Sequence, residues 1–111
     1  MNRAKQKGTS WETAIVRYLV SRGWLHAERR TLSGAHDRGD IAGLPGVVIE
    51  AKNAQRIDLA GWLTEAQTEA KNAGAEVGVV WVKRRGKTSP AGGYVVMDGS
   101  TFADLLKSAG W

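Results

Sequence analysis

The run Asp40-Ile-Ala-Gly-Leu-Pro-Gly-Val-Val-Ile-Glu50-Ala51-Lys52 constrains this chain more than any other stretch. An acid precedes a turn, and the turn feeds an apolar, β-branched run that ends in Glu-Ala-Lys. Leu44-Pro45-Gly46 makes a tight hairpin turn, so the strand bearing Asp40 returns beside the strand bearing Glu50. Side chains alternate along a strand, so Glu50 and Lys52 share one face and Ala51 points to the other. Whatever the fold, two acids and a lysine are predicted to meet at one end of a sheet.

Length and charge bound what surrounds that trio. A chain of 111 residues suggests one domain with a modest core. There is no cysteine, which excludes disulfides and thiolate metal sites. No apolar run is long enough to cross a bilayer, and the basic segment Met1 to Lys7 lacks the apolar stretch of a signal peptide. A cytoplasmic location without membrane partners is expected. The net charge is +5, with basic residues grouped at Arg3, Lys5 and Lys7, at Arg29 and Arg30, and at Lys83, Arg84, Arg85 and Lys87. One such group would read as a solvated surface. Three groups around an acidic centre suit a phosphate backbone instead.

The pattern predicts a loose basic arm over residues 1–8 and a single domain over 9–111. A first helix is expected from Ser10 to Arg22, with Thr9-Ser10-Trp11-Glu12 as a capping box, Gly23 as the stop and Trp11, Ala14, Ile15, Tyr18 and Leu19 as its buried stripe. Strands follow at 24–31, 40–42 and 47–52. A second helix spans 58–73 with Leu59, Trp62, Leu63, Ala66 and Ala70 on one face, ended by Gly74. Val77 to Val82 is apolar throughout, as in the middle of a sheet. A basic, glycine-rich loop, a strand at 94–97 and a short helix capped by Ser100 complete the order αβββαββα. The class is α/β, a mixed sheet flanked by helices, with the tryptophans mostly in the core.

Asp40 and Glu50 are the candidate ligands of a hard cation, because Mg²⁺ and Mn²⁺ prefer carboxylate oxygen. The Ala51 carbonyl could add a ligand, and Lys52 could orient a water and hold charge at a phosphate. A cation beside two acids is what phosphodiester hydrolysis needs, although Glu-x-Lys alone also describes an ordinary surface pair. Glu12 falls at ~100° from Trp11 on the helical wheel, inside the apolar sector. It either reaches the metal or closes the capping box. Gln67 lies at ~80° from Leu59, bordering the second helix's stripe. It would orient water or phosphate, or simply mark the edge of that stripe. Ser33 is a candidate phosphate contact, and Asp37 reads as turn chemistry. Only one of Arg29 and Arg30 can face a substrate from a strand. His26 and His36 lack ligand spacing.

Taken together, the helix with Glu12, Arg29-Arg30, Leu32-Ser33-Gly34, Gly39-Asp40-Ile41, Ile49-Glu50-Ala51-Lys52 and the helix with Gln67 resemble the PD-(D/E)XK nuclease superfamily, and within it the archaeal-type Holliday-junction resolvases. The likeness covers residues 10–82. Gly39 stands where the motif has proline, and the loop around His36 and Asp37 is long. The resemblance implies a restriction-endonuclease-like fold, metal on Glu12, Asp40 and Glu50, water positioned by Lys52, phosphate at Ser33, and a homodimer that nicks four-way DNA junctions with Mg²⁺, Mn²⁺ substituting. Other nucleases of this chemistry (nicking, flap or sequence-specific) share the same constellation. A non-catalytic basic DNA-binding module would explain the charge but not the acids.

Overall fold

The computed structural model describes residues 3–30 and 38–111. Along the chain come α1 (Arg3–Ser21), β1 (Glu28–Arg29), β2 (Ile41–Ala42), β3 (Val47–Lys52), α2 (Leu59–Ala73), β4 (Val77–Val82), a 3-10 turn (Pro90–Gly92), β5 (Tyr94–Val96) and α3 (Gly99–Ser108). The strands form one five-stranded sheet in the order β1-β2-β3-β4-β5. β3 and β4 run parallel, and every other pair is antiparallel. The α/β class, the mixed sheet and the element order expected from the sequence are all present.

Strand alternation divides the core in two. Ile41, Ile49, Ala51, Val79 and Trp81 face α1 and bury Trp11, Ile15 and Leu19. Val80 and Val82 face α2, where they meet Ala66, Trp62 and Leu63. On the α1 side, Trp11 Nε1 donates to the Trp81 carbonyl at 3.0 Å, satisfying the one polar group this large ring carries into the core. On the α2 side, Gly78 lets helix and strand approach closely. A Cβ there would lie 2.5 Å from the Ala66 carbonyl oxygen, too near for any side chain. α2 itself is fixed at both ends. Asp58 accepts from the Gly61 amide at 3.0 Å, and Gly74 takes the left-handed conformation at φ 67°, the usual C-terminal stop.

Several local expectations are corrected. Residues 3–8 continue α1 and are not a loose arm. The capping box does not form, because Thr9 is already inside the helix and its carbonyl accepts from Thr13 Oγ1 at 3.0 Å. β1 is much shorter than 24–31. The chain turns at Trp24, whose carbonyl accepts from the Ala27 amide, and Trp24 and Leu25 stay exposed. Trp111 is exposed as well, whereas Trp11 and Trp81 are core residues. Asp98, not Ser100, caps α3 by accepting from the Thr101 amide at 2.9 Å. Ser33, His36 and Asp37 lie outside the described residues.

Candidate metal centre and nucleic-acid groove

Sheet register brings Asp40 to Glu50. β2 and β3 pair Ile41 with Ile49, so one step further along the same antiparallel ladder sets Asp40 opposite Glu50. Residues opposed in this way share a face, here the α2 face that also carries Lys52. The Asp40 amide donates to the Ile49 carbonyl at 3.0 Å, and Asp40 Oδ2 accepts from the Ala51 amide at 2.8 Å. The N–H and C=O of one strand residue point to the same neighbour, so the Ala51 carbonyl is directed to the Asp40 side too. Gly39 explains the missing proline. Its φ is +93°, and a Cβ would lie 2.6 Å from Val48 Cγ1. Proline is locked near φ −65° and cannot adopt that backbone.

α2 adds two acids that the sequence reading missed. Glu65 and Glu69 stand one helical turn apart and descend onto the sheet, so that one oxygen each from Glu50, Glu65 and Glu69 lies within 4.8 Å of the others. Glu50 and Glu69 are 5% and 2% exposed. Lys52 Nζ sits 3.3 Å from Glu50 Oε1 and 3.2 Å from Glu65 Oε1, and 5.9 Å from the centre of the Trp62 ring. A wheel reading of α2 contained the missed signal. With Leu59 at zero, Glu69 falls at about 280°, next to Trp62 at about 300°, so it is an acid at the edge of the apolar stripe.

The electrostatics follow from crowding. Glu50 is pushed up to about 11, first by burial, then by the hydrogen bond it can share with Glu69 and by the charge of Asp40. That bond requires a proton on one partner, and Glu50 Oε2 has no donor when both are ionised. Burial works against the ammonium of Lys52, but the Glu50 and Glu65 carboxylates more than offset it, and its pKa is raised. The lysine therefore stays charged. Among the described contacts of Glu50, carboxylates outnumber the cation, a state relieved by protonation or by a bound metal.

Other predicted residues go elsewhere. Glu12 is held by Arg29, Nε donating to Oε1 at 3.1 Å. Arg29 is opposite Ile41 in the ladder, and Ile41 belongs to the core under α1. This pair thus occupies the sheet face away from Glu50, and Glu12 does not join the acidic cluster. Gln67 points away as well, donating to Asp98 Oδ2 at 2.9 Å. It braces the α3 cap and does not face the cluster.

Two basic groups do converge. Lys7 of α1 and Lys83, Arg84 and Arg85 after β4 line an open groove of about 470 Å³, together with Asn53 to Gln55, Ile57 and Tyr94. The Arg84 guanidinium lies 5.7 Å from the centre of the Tyr94 ring. Among the described residues no acid lines this groove, whose lining includes Asn53, the residue after Lys52. Arg3 and Lys5 extend along α1 and are exposed, as is Lys87. Arg30 faces a different hollow, beside the β2–β3 turn and the end of α2.

Glu50, Glu65 and Glu69 could hold a metal ion. An ion with bonds of 2.0–2.1 Å keeps oxygens no more than about 4.2 Å apart. The three side chains would close inward around such an ion, and an all-carboxylate set suits a hard cation. Among the described residues, no helix is long and apolar enough to cross a membrane. Compared with known proteins, the chain matches no family model, no curated protein and no solved structure.

Proposed function

We propose that this chain is a Mg²⁺-dependent, structure-selective DNA endonuclease of restriction-endonuclease-like fold. Its best-fitting activity is that of a Holliday-junction resolvase acting as a homodimer in the cytoplasm. One observation carries the reading: Asp40, Glu50 and Lys52 converge with Glu65 and Glu69, and from the next residue along the chain, Asn53, a groove is lined by cations with no acid among the described residues. Acids in a DNA-facing surface repel phosphate unless a cation lies between them, so this placement favours catalysis over passive coating.

Glu50 and Asp40 would hold the ion, with Glu65 or Glu69 and the Ala51 carbonyl completing its shell. Mn²⁺ would substitute. When bound, such an ion lowers the pKa of its water and neutralises charge on the phosphate. Lys52, charged and aimed from β3, would fix the water or stabilise the transition state's negative oxygens. The groove cations would grip the backbone, which selects shape rather than sequence. A two-fold dimer would match the two-fold symmetry of a junction. The exposed apolar side chains Phe102, Leu105 and Leu106 of α3 would supply its contact.

The test is incubation of the protein with a labelled four-way junction and a matched linear duplex, with Mg²⁺ and with EDTA. Paired nicks in the junction alone, lost in EDTA, are expected. Equal cutting of both substrates would reassign the chain to another nuclease of the same chemistry, nicking, flap or sequence-specific. Tight binding with no cutting under any metal would leave a binding module and overturn the enzyme.

A further inference from the structure

We propose that the groove beside the acidic cluster takes an unpaired stretch of the DNA strand, its phosphates on Lys7, Lys83, Arg84 and Arg85 and a base stacked on Tyr94. The inference rests on the nuclease reading only for what lies at the cluster. The preference for a single strand is argued from the groove itself.

Four cations from two separate elements line the groove with no acid among the described residues, which is the electrostatic funnel that tracks a phosphate backbone. Charge alone would suit a duplex equally. The apolar surface inside the groove decides between them. Tyr94 is 51% exposed and Ile57 is 55% exposed, and both line the groove among the cations. A half-exposed aromatic ring within a cationic groove is a stacking platform. Only an unpaired base offers it a free π-face, since duplex bases are already stacked on their neighbours. Its volume of about 470 Å³, in the range of pockets that take one small organic molecule, admits an unpaired nucleotide. The Arg84 guanidinium lies over the Tyr94 ring, 5.7 Å from its centre, and adds a planar cation on which a base also stacks. The groove is lined from Asn53 onward, the residue that follows Lys52 in the chain.

Binding can be read without catalysis. Fluorescence anisotropy of a short labelled oligothymidylate and of a blunt duplex of equal length, both in EDTA, isolates the groove. The single strand is expected to bind more tightly. Tyr94→Ala should weaken it by about fivefold to a hundredfold while sparing the duplex, because base–aromatic stacking has that magnitude. Tyr94→Phe should bind as the parent does. Tyr94→Leu, which keeps an apolar filler on the strand, should fail like alanine, and thermal melts of both variants check that the fold persists. Lys83→Gln and Arg84→Gln should each lower the salt dependence of single-strand binding, by a slope of about 0.7 per lost contact. Duplex binding as tight as single-strand binding, or a Tyr94→Leu variant that binds like Tyr94→Phe, would overturn the proposal. A protein that cuts nothing in Mg²⁺ yet keeps the Tyr94-dependent preference would sink the nuclease and leave the groove assigned.

Discussion

Glu12 and Glu50 each lie beside a cation, at 3.1 Å from Arg29 and 3.3 Å from Lys52, on opposite faces of one sheet. The first pair is complete. One acid meets one guanidinium, and the arginine side chain is 45% exposed, so water shares the load and nothing further is required. The second is not complete. Glu50 is buried, and its other neighbours are Glu65, Glu69 and Asp40, which add negative charge that one lysine cannot balance. Two acid–cation pairs at similar distances are therefore in different electrostatic states. Local excess charge in a dry place marks the candidate metal centre, and mere proximity of opposite charges does not.

The largest expected effect separates the two acids directly. Glu50→Gln should abolish metal-dependent cleavage, a loss of about a thousandfold or more, since a metal supplies several kcal/mol of transition-state stabilisation. Glu12→Gln should stay within about tenfold of the parent, the loss of one modest contact. Calorimetry with Mn²⁺ would show the same split, with titration heat lost in the first variant and kept in the second. Equal losses of cleavage would erase the distinction and return Glu12 to the metal.

Acid–base behaviour should differ next. Glu50 is raised in the fold, from 4.5 to about 11, so the native state holds a proton that the unfolded chain releases above its own pKa. The sign follows: this contribution is intact below about pH 4.5, and stability falls as pH rises from there through about 11. The fall is at most about tenfold in the folding constant per pH unit, one proton's worth. Chemical denaturation of the metal-free protein between pH 6 and 9 should show it, and Glu50→Gln should flatten it. A bound metal takes the proton's place, so adding Mn²⁺ should release a proton and remove the slope. A parent protein whose stability rises with pH over this range would contradict the crowding argument.

The cluster also depends on how near α2 lies to β4. At Gly78 a Cβ would meet the Ala66 carbonyl, so Gly78→Ala must push the helix that carries Glu65 and Glu69. Overpacking of this kind costs about 1–3 kcal/mol, and the melting temperature should fall by roughly 4 °C for each kcal/mol. Metal affinity should weaken with it. A variant that melts lower but binds Mn²⁺ unchanged would show that the α2 acids are not ligands.

How much of this was legible before the structure varies with the kind of interaction. β3 and β4 stand out because runs rich in β-branched residues satisfy strand propensity and burial together, and α2 because Asp58 and Gly74 punctuate it. α1 began earlier than expected because Gly8 and the polar residues before it resemble a tail, and only packing further along holds such a weak helical start. β1 shrank because the apolar pair Trp24-Leu25 belongs to a turn and not to the core. Asp40, Glu50 and Lys52 could be placed from a hairpin, which is local. Glu65 and Glu69 could not, because their meeting with Glu50 depends on which sheet face α2 covers. Gln67 was preferred for its polarity at the stripe edge, yet its partner, Asp98, comes from 31 residues away.

The smallest effect tests the quiet half of the comparison. If Glu12–Arg29 is a complete, water-shared pair, removing it should cost little. A double-mutant cycle with Glu12→Gln and Arg29→Gln should give a coupling of about 0.2–1 kcal/mol, reduced in high salt. The Glu50–Lys52 pair should behave otherwise. Lys52→Met leaves Glu50 among three carboxyl groups without its cation, while Glu50→Gln relieves the crowding. Those two variants should move the metal-free protein's stability in opposite directions, the first down and the second up. Two exposed members of an ordinary pair would both move it slightly down. Like signs at Glu50 and Lys52 would mean that their pairing, and not the excess of acids around it, sets the character of the site.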